Sequence, residues 1–236
     1  MQVPTSKTPI ATCETASLYV ETMCSKFPEN AVVVGLGSSM RQARIALVQH
    51  QGAYREAVLA LLPLRVETRF VDYLSDQRIR TTFQKAELAD GKRGGKLCSQ
   101  LFTKGLTPII KPVGATEVGE MRGLEGRLEA AASQWPEAVA EKAAIAALRT
   151  RYEAALQARK EGMAKAADVR AARDAVKEDF LDVFAVVAAR IKAEFPRDRV
   201  MQELFFDRID TRAASGPSEP EDPAEPDDPV PPAPEG

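Results

Sequence analysis

Few side chains in this sequence have the type and setting for chemistry. His50 is the one histidine in 236 residues. As a general base it needs an orienting acid and a nucleophile within hydrogen-bond reach, and neither is identifiable around it. Alone it cannot build a histidine-rich metal site, and between Leu47 and Tyr54 it reads as a packed or boundary residue of a helix. Cys98 follows Lys92, Arg93 and Lys96, and such cations lower a thiol pKa and make it reactive. The reading ranked above that one is a small buried residue beside Leu97, Leu101 and Phe102.

Two glycine-containing stretches touch on phosphate chemistry. Val32-Val33-Val34-Gly35-Leu36-Gly37-Ser38-Ser39 has the look of a strand, a glycine turn and a helix start, the arrangement that brings backbone N–H groups to a phosphate. Met40 stands where a dinucleotide fingerprint needs its third glycine, and no strand–helix–strand unit follows. A turn feeding a helix capped by Ser38 or Ser39 is the preferred reading. Gly94-Gly95-Lys96-Leu97 glances at a P-loop, but Asp90 and Leu97 occupy the positions of its first glycine and its hydroxyl residue. No catalytic residue, cofactor site or metal ligand is therefore assigned.

The basic stretch between Gly91 and Thr116 remains. Lys92, Arg93, Lys96, Lys104 and Lys111 lie there with no acid among them. At the tip of a helical hairpin they would make a local positive field able to hold phosphate or an acidic protein surface. Phe102 is the sole aromatic in the span, so base stacking has little support. An internal counterweight exists. Residues 213–236 carry seven acids and no lysine or arginine, and that tail could shield the loop.

The elements that would position these residues are helical. Residues 14–26 suit a short helix after a loose polar end. From Ser38, Met40, Ala43, Leu47, Tyr54, Val58 and Leu61 recur at three- and four-residue steps, and the patterning continues through Val66, Phe70, Leu74, Phe83 and Ala86. Pro63 kinks or divides this run into helices at about 38–62 and 64–89, with Asp90-Gly91 as the stop. A connector at 91–115 follows, then a helix at 116–134 with Leu124, Leu128 and Ala131 on its apolar side. The clearest signal is a helix over 137–195. Its seven-residue series Ile145, Tyr152, Arg159, Ala166, Arg173, Phe180 and Val187 is an imperfect heptad, with Leu148, Ala155, Gly162, Val169, Val176, Val183 and Arg190 as companions. At 1.5 Å per residue it would run about 90 Å, and a helix of that kind must pack on something. The 38–89 segment folded back antiparallel is the simplest partner. A last helix spans 197–209.

The fold class expected is all-α: an elongated antiparallel helical hairpin or coiled-coil-like bundle in a 31–212 domain, preceded by a loose 1–30 segment. The acidic tail has eight prolines and one large aliphatic residue, Val230, so it is expected to stay disordered. Without it, residues 1–212 hold 32 Lys and Arg against 27 acids, too mild a bias for a dedicated nucleic-acid binder. Three cysteines with no CxxC give no disulfide framework. With no signal-peptide pattern and no membrane-spanning run, a cytoplasmic location is the expectation. A non-enzymatic scaffold or protein-interaction module, with a protein partner or self-association, ranks first. Anion or nucleic-acid binding through 91–111 ranks second, and an enzyme with an unrecognised site ranks last.

Overall fold

The computed structural model describes residues 3–207; the acidic segment expected to be disordered lies outside the described residues. Every regular element among those described is a helix: α1 (Ile10–Cys24), α2 (Ala31–Leu59), α3 (Leu61–Asp90), α4 (Lys96–Leu101), α5 (Thr107–Ile110), α6 (Ala115–Ala131), α7 (Ala138–Glu194) and α8 (Arg199–Leu204). They form two compact units, one from residues 3–59 and 164–207 and the other from 60–163. The long helix α7 gives its C-terminal part to the first and its N-terminal part to the second.

In the first unit, Ile10, Cys13, Ser17, Val20 and Cys24 recur at three- and four-residue steps and bury one face of α1. The stretch before it, expected as a loose polar end, is held in place. Val3 packs on the core, Pro4 is buried, and Lys177 Nζ donates to the Ser6 carbonyl at 2.8 Å. The cap of α2 is Asn30, whose Oδ1 accepts the N–H groups of Val32 and Val33 at 3.1 Å each. Ser38 and Ser39, expected as caps, lie inside the helix and donate to the carbonyls of Val34 and Gly35 one turn back. The strand-like Ala31–Val34 run is therefore helix, because Asn30 starts it early. Gly37 has a packing role: a Cβ there would stand 2.8 Å from the Cβ of Cys24, so its missing side chain lets α1 lie close on α2.

Val33, Met40 and Leu47, seven residues apart, turn inward from α2 and meet Phe180, Phe184, Val187 and Ile191 of α7 in one core, and Tyr54, the next in the series, is buried. The pairing is antiparallel. Asn30, at the start of α2, donates to Glu194 at 2.7 Å, and Tyr54, near its end, lies under the Arg173 guanidinium at 4.3 Å. Phe205 stacks on Phe27, with ring centroids 5.2 Å apart, and packs tilted against Phe195 at 5.5 Å, closing the unit below α8.

In the second unit, Pro63 sits in the first turn of α3, where its absent N–H leaves no bond unmade. The interruption falls at Ala60, earlier than the proline itself, and Ala60 keeps right-handed helical angles. Thr82 and Lys85, late in α3, bond Glu141 early in α7, while Glu67 bonds Arg151 and Leu61 and Leu64 lie over Gly162. This pairing is antiparallel too. The expected α7 series holds: Ile145, Tyr152, Ala166, Arg173, Phe180 and Val187 are buried, and Arg159 is half-buried. Of the companion series only Ala155 is fully buried.

The 91–115 connector has more structure than its glycines and prolines suggest. Helices α4 and α5 put Leu97, Cys98, Leu101, Phe102 and Ile109 into a core with Val118, Met121, Leu124 and Leu128 of α6. Asp90 anchors the turn, its carboxylate accepting the N–H groups of Leu97 at 3.0 Å and Cys98 at 2.8 Å.

Candidate functional site

Helix α3 buries Leu61, Thr68, Val71, Ser75, Ile79, Thr82 and Ala86 on one face. On the opposite face Leu62, Val66, Phe70 and Tyr73 follow at steps of four, four and three residues, which keeps them in one stripe. All four are exposed, Val66 to 67%. Arg65 and Arg69 stand exposed along one edge of the stripe and make no ion pair among the described residues. Along the other edge Glu67 is bound to Arg151, whose guanidinium reaches the Phe70 ring at 5.6 Å from the centroid. Scattered apolar residues are normal on a protein surface; four in a row on one helix with a basic rim are the pattern of a contact face.

All five bases of the 91–111 stretch, Lys92, Arg93, Lys96, Lys104 and Lys111, are exposed. The backbone donors at the start of α4 are less open than the sequence suggests, since Asp90 takes those of Leu97 and Cys98. Those bonds, together with Lys92, hold the Asp90 carboxyl below its usual range. Cys98 is buried, and burial, with Glu87 and Asp90, pushes its thiol up. Burial and these acids leave the reactive-thiol reading without a basis. His50 is half-buried on α2.

No family model, no curated protein and no solved structure matches this chain.

Two groups of buried charge stand out in the second unit, and sequence reasoning missed both. Glu141, 2% exposed, accepts from Thr82 at 2.8 Å and Lys85 at 2.6 Å and pairs with Arg78 at 2.9 Å. Burial raises its carboxyl, and these partners together outweigh that and leave it lowered. Glu117 is 1% exposed and neither of its oxygens has a formed hydrogen bond. Its polar neighbours are Asp72 and Tyr152, and Asp76 stands close by. A heptad count flags apolar seams, and an acid inside one has no sequence signature of its own. The α3 stripe was in view as sequence, but Val66 and Phe70 were read with the core-facing residues. They lie on the opposite face.

No set of three or more His, Cys, Asp or Glu among the described residues is arranged to hold a metal ion. A cleft of about 500 Å³ in the first unit is lined by Lys192, Pro196, Arg197, Arg199, Gln202 and Glu203, with Arg199 paired to Glu203 at 3.1 Å. It contains no nucleophile and no oriented base. No helix among the described residues is long and apolar enough to cross a membrane.

Proposed function

We propose that this chain is a non-enzymatic helical interaction module and that the outward stripe of α3 is its working face. The observation that carries the reading is the run Leu62, Val66, Phe70 and Tyr73, exposed on the face of α3 that turns away from the core. The occupant that fits is a helix of another protein with apolar residues in register and acids on its flank, because Arg65 and Arg69 edge the stripe and make no ion pair among the described residues. A second copy set antiparallel fits less well, since it would bring the two basic edges together.

A photo-crosslinking residue at Val66, in cells of the source organism, tests this. The result expected is a crosslink to an acidic amphipathic segment that weakens when Arg65 and Arg69 become Glu. A crosslink only to a second copy of the chain, or none, would overturn the reading.

A second reading draws on the five exposed bases of 91–111. Anion or nucleic-acid binding there predicts salt-sensitive retention on a polyanion that is lost when Lys92, Arg93 and Lys96 become Ala and strengthened when residues 213–236 are removed.

A further inference from the structure

We infer that Glu117 keeps a trapped proton, donated to Asp72, that fastens α6 to α3, and that losing this proton frees the first turn of α6. The inference does not depend on the α3 stripe. It starts from an imbalance. Glu117 projects from the first turn of α6 into a site where it is 1% exposed, and both its oxygens lack a formed hydrogen bond. An ionised carboxylate cannot remain there without a partner.

Among the described residues no cation acts on Glu117. From α3 the facing charges are Asp72 and Asp76, and Arg80 acts on Asp76. From α7 the facing group is the Tyr152 hydroxyl, which donates to Asp72 Oδ1 at 2.8 Å and accepts the Gly114 N–H at 2.9 Å. Further along α6 and α7, Arg122 and Arg149 are bound to Glu153 and Glu125. The lysines of the neighbouring α4–α5 segment, Lys96, Lys104 and Lys111, are exposed. A proton on Glu117 resolves the imbalance: its O–H becomes a donor to Asp72, and two acids that would repel become a hydrogen-bonded pair. One proton then ties α6, α3 and, through Tyr152, α7.

The electrostatics agree. Burial first, then Asp72 and Asp76, push the Glu117 carboxyl up to about 9 from an ordinary value of 4.5. Asp76 is raised too, by burial and then by Asp72. The deprotonated side chain also has somewhere to go. It sits in the first turn of α6, just after Gly114 with its φ of 68°, and a carboxylate that swings into water there meets the favourable end of the helix dipole.

The sign of the pH effect follows from the direction of the shift. The folded chain keeps a proton that the unfolded chain has released, so the stabilisation is complete below pH 4.5 and drains away as pH rises to about 9. Over that window this one group shifts the unfolding equilibrium by about tenfold per pH unit.

Difference infrared spectroscopy of the full chain, titrated from neutral to alkaline pH, is the test, with hydrogen exchange read at residues 115–121. The result expected is a protonated-carboxyl band at neutral pH that vanishes with a midpoint near 9 and is missing in Glu117→Gln. Faster exchange should be confined to the first turns of α6, and the melting temperature of Glu117→Gln should lose the decline contributed by this group. No protonated carboxyl in the wild-type chain at neutral pH, or a band that persists in Glu117→Gln, would overturn the inference. Should Glu117→Gln fail to fold, the wild-type titration decides alone.

Discussion

Where α7 packs against α2, its inward positions are Phe180, Phe184, Val187 and Ile191; where it packs against α3, they are Glu141, Ile145, Tyr152 and Ala155. The seven-residue spacing persists and the chemistry changes. The first unit buries Phe180, Phe184, Phe205 and Phe206 around its seam, and its buried polar residues are Ser17 and Arg173. Arg173 is stabilised on the face of Tyr54 and by Asp174 at 2.7 Å. The second unit turns Thr68, Ser75 and Thr82 inward from α3 and buries Glu117, Glu125 and Glu141. Apolar area holds the first together, and it tolerates exchanges that keep side-chain volume. Directional bonds share the work in the second, and each buried acid there is stable only with its partner or its proton.

The largest effect expected is a loss of about 3–5 kcal/mol for Phe184→Ala, from transfer and cavity terms, with no added pH dependence. Chemical denaturation at two pH values checks both parts. Next comes Glu141→Ala, which should cost about 3 kcal/mol at neutral pH, at the low end for a broken buried pair because Arg78 and Lys85 keep some water. The lowered carboxyl sets the sign. Its stabilisation is present above pH 4.5 and lost as pH falls through the folded value, so variant and wild type should converge in acid. Glu117 behaves in the opposite sense. If Phe184→Ala shows the same acid convergence, the contrast between the units fails.

Smaller effects sharpen the comparison at its glycines. Gly37→Ala should destabilise: overpacking against Cys24, about 1–3 kcal/mol, outweighs the gain in helix propensity of about 1 kcal/mol. Gly52→Ala, with nothing near its added methyl group, should instead stabilise by about 1 kcal/mol. Thermal melts of the pair separate a glycine kept for packing from one that merely sits in a helix. Smallest of all, Val66→Lys should change stability by under about 0.5 kcal/mol, since Val66 is 67% exposed, while weakening any complex made through α3.

The elements were more legible in the sequence than the site. The α7 helix, its inward series and its antiparallel partner could be read from periodicity, because fifty-seven residues repeat one signal. Local choices were harder. Asn30 outcompeted Ser38 as a cap, and nothing between them in sequence decides which oxygen reaches two N–H groups. The glycines and prolines of 91–115 hid two short helices, because Leu97, Leu101 and Ile109 gain their burial from α6 rather than from their own segment. Glu117 could not be found at all. Its neighbours Asp72, Asp76 and Tyr152 lie on other helices, and only the fold brings them together.

The claim most open to test is that α3 meets its partner through the stripe. The native mass of the chain, measured in extracts of its source cells, should be set by that face. Val66→Asp with Tyr73→Asp is predicted to bring the chain down to the mass of a free protomer. Lys92→Ala with Arg93→Ala and Lys96→Ala should leave the complex intact. A complex that survives the stripe variants and dissolves with the loop variants would contradict the account and move the working surface to the basic segment.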